Sequence, residues 1–312
     1  MFGSHLSVAG GLVNALVEAR SLRLDCVQVF TRNQRQWSAR ALGEDEQAAW
    51  REGLKEIGWH RRRGPCRTVS HNSYLVNFAS RDRDVRTKSL AAQRTEVERC
   101  EALGIPLCVM HPGAHLGRPC PPPESGEPGG SPTRDELAGL KRVIKALDRM
   151  HRDLPGLRVI TCLETTAGTG TNLGYSFEHL AFIRENIREP DRVGYCFDTC
   201  HVTAAGYDMT TEAGAAAVLG RFGEICGRRH LRVFHLNDSV GAVGSRRDRH
   251  AHIGHGACGI ACFRTIVNLG AFARVPKIIE TPKGTDEKGV PWDVVNIRRL
   301  KRLIRRPGTT GR

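Results

Sequence analysis

Short apolar runs rich in β-branched residues alternate with longer amphipathic, charge-laced stretches from one end of the chain to the other. A hydrophobic period that switches between two and about 3.6 residues predicts repeated strand–helix units. Eight runs read as strands, at residues 2–6, 26–30, 67–71, 107–111, 158–164, 193–198, 231–235 and 277–280. Helical spacing predicts helices over 44–60, 82–103, 133–152, 176–188, 210–226 and 292–304. Eight such units in 312 residues fit one α/β domain, a (β/α)8 TIM barrel, better than an open doubly wound sheet. The barrel is assigned to residues 1–297. Segment 117–132 breaks the rhythm with six of the fifteen prolines, and reads as a surface excursion from the loop after the fourth strand.

The residues that close the strand runs change the picture from fold to chemistry, because the C-terminal strand ends of such a barrel carry its active site. His5, His71, His111, Glu164, Asp198, His235 and Glu280 sit at or beside seven of the eight ends. His, Asp and Glu make up 46 of the 312 residues, so about one such ending is expected by chance, or about two or three if the strand boundaries are free to slide. Converging His and carboxylates, without a reactive Ser or Cys elbow, are the ligand set of Zn²⁺ or Mn²⁺. His201 follows Asp198 by one turn, and Asp248 and His250 lie two apart in a loop. So many donors imply two or three ions, which favours hydrolysis of a phosphodiester.

Other polar residues are assigned quieter roles. His5 is expected to hydrogen-bond a ligand rather than to bind metal. Cys196 and Cys200 are read as packed thiols, Cys108 and Cys162 as core, and His60, His151, His179 and His230 as surface or capping residues. The glycine-rich stretch 165–174 lacks a Gly-Lys-Ser/Thr ending, which excludes a nucleotide loop.

Charge points to the partner. Lys and Arg number 47 against 33 acids, a formal +14, and 39 of the 47 are Arg, which suits phosphate recognition by a nucleic-acid-binding chain. Half of that excess lies in the basic tail 298–312, which reads as a non-specific DNA tether. The loop TRNQRQW offers Arg32, Arg35 and an aromatic for phosphates and a groove. Tyr74 and Leu75 next to His71 read equally well as core anchors or as a wedge that unstacks bases. No apolar run approaches the ~18 residues of a membrane span. The eleven cysteines form no CxxC pair and the N-terminal stretch has no basic n-region, so a reducing cytoplasm is expected.

Taken together, GSHLSVAGG, TRNQRQW, HNSYLVNFAS, MHPGAHLG, LETTAGTGTNLG, FDTCH, FHLNDS, DRHAHIGHG and IIETP resemble the endonuclease IV family of apurinic/apyrimidinic endonucleases. The match spans residues 3 to 282 in the family's order. It implies the same barrel, a monomer, and three zinc ions. His71 and His111 would hold the first, with Glu164 bridging to the second. Asp198, His235 and Glu280 would complete the second, and His201, Asp248 and His250 the third. The implied reaction is cleavage of duplex DNA 5′ to an abasic site, leaving a 3′-hydroxyl and a 5′-deoxyribose phosphate, with trimming of blocked 3′ ends. Glu164 and Glu280 would be the catalytic carboxylates, Glu280 orienting the attacking water. Arg35, Tyr74 and Leu75 would enter the minor groove.

Segment 117–132 is longer than the family's usual loop, and His255 and Cys258 depart from its pattern, His255 close to where the third ion is expected. Two other classes remain as alternatives: a divalent-metal sugar isomerase of the same barrel shape, which needs a Lys near its metals, and a DNA-binding barrel without catalysis. Lys283 lies beyond the ligand layer.

Overall fold

The computed structural model describes residues 1–60, 64–119 and 128–305. Residues 120–127 of the proline-rich segment and 306–312 of the basic tail lie outside them. Strands β1 (Phe2–His5), β2 (Cys26–Val29), β3 (Thr68–His71), β4 (Leu107–Met110), β5 (Ile160–Glu164), β6 (Val193–Asp198), β7 (Leu231–His235) and β10 (Lys277–Ile279) close a parallel barrel in that order. The eight expected runs are these eight strands, with ends shifted by up to two residues. Outside the barrel, Asp238–Ser239 (β8) and His250–Ala251 (β9) pair antiparallel. These two-residue strands are too short to leave a periodic signal.

Helices α1 (Val13–Ser21), α2 (Glu44–Glu56), α3 (Arg83–Leu103), α4 (Arg134–Asp153), α5 (Phe177–Asn186), α6 (Thr199–Ala205), α7 (Glu212–Phe222), α8 (Gly259–Asn268) and α9 (Trp292–Arg302) surround it. Local chemistry sets their ends. Asp82 caps α3 by accepting from the N–H groups of Asp84 and Val85, and Thr133 and Glu136 form a reciprocal capping box on α4. Helix α2 stops short of its expected end because Gly58 turns the chain at φ 72°. The first residues of the basic segment end α9, as the helical spacing over 292–304 predicts: Ile297 and Leu300 are buried together, and Arg299 Nη1 donates to the Ile253 carbonyl at 2.7 Å.

Strand alternation builds the interior. Val27 and Val29 face the helices, while Cys26 joins Val69, Leu107, Val109, Cys162, Cys196, Val233 and Ile278 in a plug inside the barrel. Stepping two residues toward the C-terminal mouth from that layer leads, strand by strand, to Gln28, His71, His111, Glu164, Asp198, His235 and Glu280. The apolar plug closes the floor under a ring of polar side chains.

Candidate metal centre

The ring and its covering loops bring all nine expected ligands together. Of the groups whose donor atoms lie within 4.8 Å of one another, three consist of these ligands alone: His71, His111 and Glu164; Glu164, Asp198, His235 and Glu280; and His201, Asp248 and His250. Glu164 divides its oxygens between neighbours. Its Oε2 lies 3.1 Å from both His71 Nε2 and His111 Nε2, and its Oε1 lies 2.8 Å from His235 Nδ1 and 3.4 Å from His201 Nδ1. Helix α6 delivers His201: the Asp198 carboxylate caps it by accepting from the His201 N–H at 2.8 Å. The β8–β9 hairpin carries Asp248 and His250 over the mouth. Asp238 pins the chain beyond it by accepting from the N–H groups of Gly254, Gly256 and Cys258.

The donor chemistry fits a cation. Asp248 Oδ1 is 3.1 Å from His201 Nε2 and 3.7 Å from His250 Nε2. Yet both buried ring nitrogens lack a hydrogen bond among the described residues. Burial disfavours charge on Glu164 and Glu280, but His235 beside them holds both carboxyls well below the ordinary carboxylate value. Burial likewise opposes charge on His235, and the Glu280 and Glu164 carboxylates outweigh it, raising the imidazole to about 9. Asp248 is lowered as well; burial works against that shift and His201 produces it. Carboxylates held ionised beside imidazoles in a buried mouth are a donor set that fits a cation.

Two amides that sequence reasoning passed over hold the ring in place. Gln28 bridges His235 and Glu280, and Asn237 Nδ2 donates to Asp198 Oδ2 at 2.7 Å while its Oδ1 accepts the Glu280 N–H at 2.6 Å. The inward parity of Gln28, two residues after Cys26, was the signal for it. His5, expected to support a ligand, has Nδ1 3.2 Å from Glu280 Oε1. Cys196 Sγ lies beneath Glu164 and His235, and Cys200 Sγ beside Asp198 and His250. Burial pushes the Cys200 thiol up to about 12 and the Cys196 thiol well above its usual value.

The nucleic-acid residues divide. Tyr74 is 66% exposed, its ring 5.7 Å from His71 and 6.4 Å from His111, and Leu75 beside it is half-buried. Arg35 is exposed on an open cavity of about 850 Å³ that His5 and Lys283 also line. Arg32 is a correction. It is buried, with Nε 3.4 Å from Glu96 Oε2 and Nη1 donating to the Gln36 and Trp37 carbonyls at 2.8 and 3.3 Å, so it shapes the loop from within. His255 stands edge-on to Trp292 at 5.7 Å, and Cys258 is buried. Of the histidines read as surface or capping residues, His151 and His179 are buried within helices, and His179 Nδ1 accepts the Gly174 N–H at 3.3 Å ahead of α5. Lys283 Nζ donates to Ser4 Oγ at 2.8 Å and pairs with Asp293 at 2.9 Å.

Known proteins share this architecture. Residues 16–303 match the family model described as xylose isomerase-like TIM barrel. A "Probable endonuclease 4" of Geobacter sulfurreducens is 44% identical over 99% of this chain and 96% of its own length. The endonuclease IV crystal structure from Thermus thermophilus superposes with a TM-score of 0.78 at 31% identity, covering 97% of this chain and 98% of that one. A D-tagatose 3-epimerase-like protein shares the fold at a TM-score of 0.64 and 19% identity, covering 97% and 96%. With full-length identity at this level to endonuclease 4 proteins, on a barrel of the same shape, the chain belongs to the endonuclease IV family.

Proposed function

We propose that this protein is a zinc-dependent DNA-repair endonuclease that hydrolyses the phosphodiester 5′ to an abasic site in duplex DNA. It would leave a 3′-hydroxyl and a 5′-deoxyribose phosphate and trim blocked 3′ ends. The observation that carries the reading is the set of nine His and carboxylate donors in three adjoining groups, two of which share Glu164. Three Zn²⁺ ions held there would supply an activated water at neutral pH and positive charge for the phosphate oxygens.

The chain's own residues do the rest. Glu164 offers one oxygen to each of two groups, which fixes their separation. Glu280 is held on three sides by Gln28, His5 and Asn237, a rigid acceptor suited to orienting the attacking water. Tyr74, exposed at the rim, offers a face for stacking where a nucleotide leaves the helix, and half-buried Leu75 and exposed Arg35 would enter the groove with it. No described helix is long and apolar enough to cross a membrane. We read the protein as a monomer acting in the cytoplasm.

The isomerase reading is weaker. Its lysine would have to be Lys283, whose ammonium is committed to Ser4 and Asp293, and it leaves His201, Asp248 and His250 without a task. Incubation with a duplex bearing one abasic site, with and without chelator, tests the proposal. Chelator-sensitive incision giving a 3′ end that a polymerase extends supports it. An intact duplex beside an isomerised sugar would overturn it.

A further inference from the structure

We propose that Gln28 is a positioning residue of the second donor group: its amide fixes the tautomer of His235, so that Nδ1 and not Nε2 faces the carboxylates. This rests on the metal-centre reading and goes beyond it, because Gln28 is not a ligand type and is not among the nine donors.

The orientation of the amide follows from its neighbours. Gln28 is fully buried, in the inward register of β2, next to His5 of β1. Its Nε2 donates to Glu280 Oε1 at 2.7 Å and stands 3.0 Å from His5 Nδ1. A carboxylate only accepts, so the NH2 end must point there, and the carbonyl end must point the other way. That end, Oε1, lies 2.8 Å from His235 Nε2. A carbonyl also only accepts, so His235 Nε2 must carry a proton and donate it. The remaining ring nitrogen, Nδ1, then faces Glu164 Oε1 at 2.8 Å, Glu280 Oε2 at 3.2 Å and Asp198 Oδ2 at 3.8 Å.

One side chain therefore sets two members of the group at once. It chooses which nitrogen of His235 presents a lone pair to a cation, and it restrains the Glu280 carboxylate from the opposite edge. Imidazole ligands in proteins owe their orientation to such an acceptor on the far nitrogen, and losing it typically weakens metal binding about 10–100-fold. Asn237 supports Asp198 and Glu280 from the other side, and its amide hydrogen bonds go to those two residues, so among the described residues the tautomer falls to Gln28.

The test uses the zinc-loaded protein and needs no DNA. Gln28→Met keeps the volume and removes both polar ends; Gln28→Glu keeps the acceptor for His235 and removes the donor to Glu280. Chelator competition reads the retained zinc, and long-range ¹H–¹⁵N correlation of the histidine rings reads which His235 nitrogen bears the proton. We expect the wild type to show a protonated Nε2, Gln28→Met to give up one zinc equivalent about 10–100-fold more readily, and Gln28→Glu to keep the His235 signature. Wild-type His235 with its proton on Nδ1, or a folded Gln28→Met that holds zinc as tightly as wild type, overturns the inference. Should Gln28→Met fail to fold, the wild-type and Gln28→Glu spectra still decide it. A wild-type protein that retains no zinc overturns the metal-centre reading and this inference together.

Discussion

Arg32 and Arg35 lie three residues apart in one basic loop, yet they should respond oppositely to the same substitution. The Arg32 side chain is 4% exposed and its partner Glu96 is 1% exposed. Arg32→Ala removes two charge-assisted hydrogen bonds to carbonyls and leaves Glu96 with Thr31 and Ser70 as its remaining donors. Breaking a buried pair by removing one partner costs about 3–5 kcal/mol. The lower end applies, since the Nε contact with Glu96 is long and Nη2 is unpaired among the described residues. At roughly 2 °C per kcal/mol for a large domain, the midpoint should drop by about 6 °C. Arg35→Ala, on an exposed side chain, should leave the midpoint within about 1 °C. It should instead lower the slope of log affinity against log salt for duplex DNA by about one unit. Thermal melts and a salt series of binding isotherms read both. An Arg32→Ala protein that melts like wild type but loses salt dependence would refute the division of labour between the two arginines.

Other consequences follow from the same geometry. Glu280→Gln should cut single-turnover cleavage of an abasic duplex by orders of magnitude while leaving duplex binding nearly intact; a fully active variant contradicts its role. Tyr74→Ala should weaken binding of an abasic duplex by about 10–100-fold, the worth of one stacked base, with an unchanged melting midpoint. In metal-stripped protein, His235 titrates at about 9 against an ordinary 6.5. A raised value means its contribution to stability is complete below pH 6.5 and is lost as pH rises through about 9, so stripped protein should lose melting temperature over that window and His235→Asn should flatten the loss. Zinc uptake must expel the same proton from Nδ1, so zinc affinity should climb with pH across the window, as competition titrations will read.

Most of the ring was legible because a barrel strand has a period of two and the ligand is always the next inward position after an apolar one. His71 follows Val69, Glu164 follows Cys162, and Asp198 follows Cys196, so residue type and parity agree. Gln28 obeys the same parity but is an amide, and a search for His, Asp and Glu passes over it. Arg32 was misread because what buries it is Glu96 on α3, a contact between distant segments that no local pattern records. Asp248 and His250 were legible as residues, but the hairpin that presents them was not: its strands are two residues long, and Asp238 pins the chain after it through backbone N–H groups rather than through side-chain periodicity. His151 and His179 lie on the inner faces of their helices, where polar type argued for the surface and packing decided otherwise.

The central claim is that nine donors form one centre for three ions that together hydrolyse DNA at an abasic site. Chelator-stripped protein titrated with zinc, with the single-turnover cleavage rate of an abasic duplex followed at each addition, tests it most directly. The rate should rise until about three equivalents are bound and then level off, matching the three donor groups. Full rate at one equivalent, or no cleavage at three, would contradict the account.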